Sequence, residues 1–126
     1  MLPLLIVEDE EKMRCAISLA FTQRGFCVET ANSLATARKL LINKQYALFI
    51  LDIGLPDGSG IDLAREILRN PQHKKTHVVA FSAFPKEDYE ERCLAAGFSD
   101  FLNKPLTEEK LNYLITTFLS TSDNSL

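Results

Sequence analysis

Residues 47–60 read ALFILDIGLPDGSG, an apolar run that ends in one carboxylate, Asp52, and then breaks into the turn residues Gly54, Pro56, Asp57, Gly58 and Gly60. A short apolar run bounded by turn chemistry is the pattern of a strand buried on both faces, and such strands belong to parallel sheets covered by helices. The chain on either side of this segment should therefore alternate strands with helices. Asp52 falls at the strand's carboxyl end, the edge at which open α/β sheets place their ligands.

Working outward, the alternation is present. Leu4–Val7 reads as a strand ending in Glu8 and Asp9. Met13, Ala16, Ile17, Ala20 and Phe21 then recur at helical spacing up to Gly25, a residue suited to a left-handed helix stop. Phe26–Thr30 reads as a second strand, and Ser33 can cap a helix whose apolar face is Leu34, Ala37, Leu40 and Leu41. After the glycine-rich loop, Ile61, Ala64, Ile67 and Leu68 form an amphipathic helix closed by Asn70 and Pro71, and Gln72 to Thr76 form a polar connection.

His77–Phe81 reads as a buried strand ending in Ser82, a helix spans Lys86 to Ala96 and stops at Gly97, and Asp100–Leu102 forms a fifth strand before Asn103, Lys104 and Pro105. Thr107 caps a last helix with Glu108 and Glu109 in its first turn and the stripe Leu111, Leu114, Ile115, Phe118 and Leu119. Leu106 and Leu111 are spaced for a hydrophobic staple. Five strands alternating with five helices predict a doubly wound α/β domain over residues 1–119, with a flexible tail over 120–126. Strand order 2-1-3-4-5 sets the first and third strands side by side at the switch point.

At 126 residues with 46% hydrophobic and 25% charged content, the chain is expected to be a single globular module. No apolar run approaches the roughly 18 residues of a membrane helix, so membrane insertion is not expected. The opening MLPLLIV runs directly into Glu8, Asp9, Glu10 and Glu11, without the basic region or cleavage site of a secretory signal, and a cytoplasmic location is expected. Net charge is −3, and the adjacent basic pairs are Arg38–Lys39 and Lys74–Lys75, too few for direct nucleic-acid binding. Cys15, Cys27 and Cys93 lack zinc or disulfide spacing and read as reduced, mostly structural thiols. His73, in the polar connection beside Pro71, is expected at the surface rather than as a phosphorelay histidine, and His77 has no ligand partner at useful spacing.

Under this topology Glu8, Asp9 and Asp52 converge at one sheet edge, and a hard divalent cation relieves their mutual repulsion. Magnesium suits the donors, held by Asp9, Asp52 and the backbone carbonyl of Gly54, with Glu8 acting through water. Ser82 and Lys104 end the fourth and fifth strands on the same rim. The set suits phosphoryl transfer, with Asp52 as nucleophile, Lys104 pairing with a phosphoryl oxygen and Ser82 donating to another. The plainer alternatives are a turn aspartate at Asp52, helix-capping acids at Glu8 and Asp9, a strand-end serine at Ser82, a solvated lysine at Lys104 and a core phenylalanine at Phe101.

The ordered set of Glu8–Asp9, Asp52 after an apolar strand, Leu55–Pro56–Asp57–Gly58 to Gly60, Ser82 and Lys104–Pro105 resembles a response-regulator receiver domain across essentially the whole chain. The resemblance implies a flavodoxin-like receiver fold. It implies that Asp52 accepts a phosphoryl group from a phosphohistidine on a histidine kinase or histidine phosphotransfer protein. Self-catalysed phosphotransfer and autodephosphorylation, rather than enzymatic turnover, would follow. It further implies a cis Lys104–Pro105 bond and a switch in which Ser82 moves towards the phosphoryl group and Phe101 turns inward. The signal would then appear on the fourth helix, fifth strand and fifth helix. The loop and the KPLT ending look like those of receivers attached to hybrid histidine kinases. Two other readings compete: a phosphohydrolase of the haloacid-dehalogenase type, which needs an Asp where this chain has Gly54, and a non-phosphorylated interaction module.

Overall fold

The three central strands of the sheet are short and almost wholly apolar, so they can be covered on both faces, while the edge strands VETA and DFLN carry polar residues; the computed structural model, which describes residues 2–73 and 75–119, pairs all five in parallel. The strands are β1 (Leu4–Val7), β2 (Val28–Ala31), β3 (Leu48–Leu51), β4 (His77–Ser82) and β5 (Asp100–Asn103), in the order β2-β1-β3-β4-β5. Between them run α1 (Glu11–Thr22), α2 (Leu34–Leu41), α3 (Gly60–Arg69) and α4 (Lys86–Ala96); α5 (Glu108–Leu114) follows β5 and continues as a π-helical turn over Ile115–Leu119. The predicted class and strand order are those observed. The predicted tail, 120–126, lies outside the described residues.

Because side chains alternate along a strand, one sheet builds two cores. Leu5, Val7, Phe49, Leu51, Val78, Ala80 and Phe101 face one side, where Leu34 and Ala37 of α2, Ile61, Ala64 and Ile67 of α3, and Cys93 of α4 cover them. Leu4, Ile6, Leu48, Ile50, Val79 and Phe81 face the other, beneath Ile17 and Phe21 of α1 and Leu111 and Leu114 of α5. Full burial of each such side chain contributes about 1.5–3 kcal/mol relative to exposure. Leu106 packs against the second core, the one that contains Leu111, as a staple requires.

The helix caps are local and legible. Ser33 Oγ accepts from Thr36 N at 3.1 Å, Thr107 Oγ1 accepts from Lys110 N at 3.1 Å, and Gly97 ends α4 in the left-handed conformation at φ +106°. Four details differ from the sequence reading. The second strand is Val28–Ala31 rather than Phe26–Thr30, because Leu4 and Val7 pair with Val28 and Ala31 and fix the register. The loop after β3 is partly ordered as a hairpin pairing Gly54–Leu55 with Gly58–Ser59. The connection after α3 begins with a 3₁₀ turn, Pro71–His73.

The fourth difference is His73, which is not a surface residue. It is 3% exposed, set edge-on to Phe49 with ring centroids 5.8 Å apart, and neither ring nitrogen has a hydrogen-bond partner among the described residues. The tight turn folds it inwards. Burial pushes its pKa below the usual histidine value, so it is held neutral.

Candidate functional site

The parallel register sets Val7 level with Leu51 and Leu51 level with Ala80, so the residues that follow β1 and β3 emerge together at the carboxyl edge. Backbone hydrogen bonds extend the alignment one step beyond the strands. Asp52 N donates to Val7 O at 2.9 Å, Glu8 N donates to Ala31 O at 3.0 Å, and Lys104 N donates to Ser82 O at 3.0 Å. Residues far apart in the chain thus meet at one rim.

Oxygens of Glu8, Asp9 and Asp52 lie within 4.8 Å of one another, with Glu8 and Asp52 buried and Asp9 exposed. The capping alternative for the acidic pair falls to a neighbour. Glu10 is the N-cap of α1, its Oε1 accepting from Met13 N, whereas Glu8 Oε2 accepts from Glu10 N and Glu8 points into the site. Arg14 of α1 secures the turn by donating to the backbone carbonyls of Glu8 and Asp9 at 3.0 and 3.3 Å.

Lys104 brings the counter-charge. Its Nζ is 3.0 Å from Asp52 Oδ2 as a hydrogen bond and 2.6 Å from Glu8 Oε1 as an ion pair. Among the described residues, the Lys104 ammonium is the partner of the buried Glu8 Oε1. Burial pushes the Glu8 carboxyl up, more than Lys104 and the Glu10 amide pull it down. For Lys104, burial works against the ammonium, but the bonds and charges of Glu8 and Asp52 outweigh it and the pKa lies above the ordinary lysine value. Three carboxylates converging within 4.8 Å against a single ammonium are a donor set that fits a hard divalent cation.

The other predicted residues also lie at or behind this rim. Gly54 N donates to Asp52 Oδ1 at 3.2 Å. Ser82 is fully buried and its Oγ accepts from Phe84 N at 2.9 Å, which leaves the hydroxyl proton to be donated elsewhere. Phe101 sits in the core opposite Ala80, wholly buried and already turned inward. The Lys104–Pro105 bond is cis. His77 stays outside the site, its Nδ1 3.1 Å from Ser99 Oγ.

Three contributors escaped the sequence reading. Gly60, at the start of α3, packs so closely that a Cβ there would stand 2.2 Å from Asp52 O. Asp57 moors the acceptor loop to α2, accepting from Leu34 N and Ala35 N at 2.9 and 3.0 Å. Asn103 donates from one amide nitrogen to Ser82 O and Phe84 O, at 3.0 and 2.7 Å. The turn signature at 57–60 hinted at the first two; no local pattern marks Asn103.

A family model described as the response regulator receiver domain matches residues 4–116. The response regulator protein PilR of Pseudomonas aeruginosa is 34% identical over 115 residues, 91% of this chain and 25% of that protein. The aerobic respiration control sensor protein ArcB of Escherichia coli is 34% identical over 124 residues, 98% of this chain and 16% of that protein. The chain therefore spans a quarter or less of these two relatives. In fold it resembles the response regulator TrrA of Thermotoga maritima, solved in complex with Mg2+ and BeF, with a TM-score of 0.81 at 24% identity over 94% of this chain and 97% of that one. Among the described residues, no helix is long and apolar enough to cross a membrane.

Proposed function

The chain belongs to the response-regulator receiver family, and from that membership we propose that Asp52 is the residue on which it accepts a phosphoryl group. The donor would be a phosphohistidine on a histidine kinase or phosphotransfer protein. An Asp52 carboxylate oxygen bonds to phosphorus while the phosphorus–nitrogen bond to the donor imidazole breaks and its electron pair returns to the ring. The observation that carries this reading is the meeting of Glu8, Asp9 and Asp52 within 4.8 Å, with Lys104 Nζ 3.0 Å from Asp52.

Phosphoryl transfer asks the protein mainly to position groups and to neutralise charge on the moving oxygens. Asp9, Asp52 and the Gly54 carbonyl would hold Mg2+, with Glu8 reaching it through water; the cation, when bound, supplies charge neutralisation at the phosphoryl oxygens. Lys104 pairs with one phosphoryl oxygen and Ser82 donates its free proton to another. In the switch, Ser82 would move towards the phosphoryl group and Phe101, whose ring is already buried here, would be the aromatic residue that responds. The signal would be read on the face built by α4, β5 and α5, where Tyr113 hydrogen-bonds Asp100 across the two elements.

The test is mass spectrometry after incubation with acetyl phosphate and magnesium. The native chain should gain one phosphoryl group and Asp52→Asn none; uptake by both would move the acceptor elsewhere.

A further inference from the structure

Thr107 caps α5, its Oγ1 accepting from Lys110 N at 3.1 Å, so Lys110 is the third residue of the first helical turn. At that place a capping box sets Glu or Gln, which reaches back to the amide of the cap. The helix dipole likewise favours carboxylates in the first turn, as Glu108 and Glu109 provide, and disfavours an ammonium. A lysine here breaks a local rule, and a local rule broken in a folded chain directs attention to a contact from elsewhere in the fold.

The contact is with the backbone that carries Lys104. Side chains on a helix lean towards its amino end, and Lys110 Nζ reaches back past the cap to donate to Asn103 O at 2.6 Å and to Pro105 O at 3.2 Å. These two carbonyls flank Lys104. Among the described residues Lys110 forms no ion pair, although Asp100 and Glu109 line the same groove. The two Asp100 oxygens are engaged instead by Phe101 N and the Tyr113 hydroxyl. From the other side Lys104 N and Asn103 Nδ2 both donate to Ser82 O, each at 3.0 Å. The segment 103–105 is thus clamped between β4 and α5, and from it the Lys104 ammonium extends to Asp52 and Glu8. Arg14 holds the backbone of Glu8 and Asp9 in the same manner across the rim.

We propose that Lys110 is a positioning residue for phosphoryl uptake: its ammonium binds the carbonyls on either side of Lys104 and fixes the backbone from which Lys104 meets the transferring group. This rests on the phosphoacceptor reading and deepens it. Lys110 bonds to no side chain of the site and acts through Lys104. A lysine side chain has enough torsions to follow a shifted backbone, but in the transition state its ammonium must stand at hydrogen-bond distance from an oxygen. A misplacement on the order of 1 Å there costs about a hundredfold. A loosened segment displaces Lys104 for part of the time, so losing the clamp costs less than losing Lys104 itself.

The test incubates the full chain with acetyl phosphate and magnesium, where an Asp52 oxygen bonds to phosphorus and acetate leaves with the electron pair of the broken bond. The initial rate of uptake is read by intact mass in native protein, Lys110→Met, Lys110→Arg and Thr107→Ala. Lys110→Met keeps the length without the donors and should be about three- to tenfold slower. Lys110→Arg has donors for both carbonyls and should stay within about twofold of native. Thr107→Ala removes the cap of the same helix but keeps the ammonium and both carbonyls; it should also retain the native rate, which separates the placing of Lys104 from the general stability of α5. The deficit of Lys110→Met relative to native should persist at about 0.5 M salt, where long-range charge effects are screened. Equal rates in native and Lys110→Met overturn the proposal alone. So do equal slowing in Thr107→Ala, a failure of Lys110→Arg to restore the rate, and a deficit that salt abolishes. No uptake by the native chain overturns the phosphoacceptor reading and the positioning role with it.

Discussion

Lys104 Nζ stands closer to Glu8 Oε1, at 2.6 Å, than to the acceptor Asp52, at 3.0 Å. One ammonium therefore holds two carboxylates together, and it stays charged because both raise its pKa against the effect of burial. Replacing it by Lys104→Met removes a positive charge that competes with a bound cation. Magnesium affinity, read by NMR titration, should rise about two- to tenfold. Phosphoryl uptake should fall about a hundredfold or more, because a group neutralising the transferred oxygens is lost. Weaker magnesium binding would contradict this arrangement of charge.

Gly60 has no room for a methyl group. Its amide donates to Ile53 O at 3.1 Å, and a Cβ would press on the Asp52 carbonyl at 2.2 Å, a backbone atom that cannot swing aside. Gly60→Ala should cost about 2–4 kcal/mol in urea unfolding and should displace the acceptor loop. In the fraction still folded, phosphoryl uptake should drop below native. Full stability in this variant would mean that the helix start and the loop are not packed as described.

The two hydrogen bonds that Asp57 accepts from the Leu34 and Ala35 amides of α2 lower its carboxyl pKa, so the folded state favours the ionised form. The sign follows: this stabilisation is present above the unfolded pKa of about 3.9 and is lost as pH falls through the lower folded value. Thermal unfolding should place Asp57→Ala below the native protein at neutral pH, and the gap should close in acid. A gap independent of pH would show that the carboxylate is not the cap.

His73 supplies the opposite case, a buried base without a partner. Its depressed pKa means that between that value and about 6.5 the unfolded chain binds a proton that the folded one refuses. Native stability should fall as pH drops through this window, by at most about 1.4 kcal/mol per unit from this group. His73→Phe keeps an aromatic ring against Phe49 and removes both unpartnered nitrogens. It should unfold at higher urea than the native protein near pH 6 and lack this part of the slope. Parallel pH profiles for the two proteins would contradict the neutral, buried assignment.

These contrasts show which structural information is local in the chain. The sheet was legible because LLIV at 4–7 and LFIL at 48–51 have no polar residue to expose, and caps such as Ser33 and Thr107 stand beside the amides they serve. Glu8, Asp9, Asp52, Ser82 and Lys104 were legible as a set because each follows or ends a recognisable strand, and parallel pairing collects strand ends. His73 was misread because its turn is polar by composition, and only the fold shows Phe49 beneath it. The hairpin at Gly54–Ser59 was missed because two-residue strands carry no periodicity. Phe84 and Asn103 were missed because their roles consist of contacts between the ends of β4 and β5, which no spacing along the chain records.

The most direct test of the central claim is a crystal structure grown with magnesium and beryllofluoride. Beryllium should be bonded to an Asp52 carboxylate oxygen, with Lys104 Nζ and Ser82 Oγ each on a fluorine and magnesium held by Asp9, Asp52 and the Gly54 carbonyl. Beryllofluoride on any other carboxylate, or Lys104 turned away from an unmodified Asp52, would contradict it.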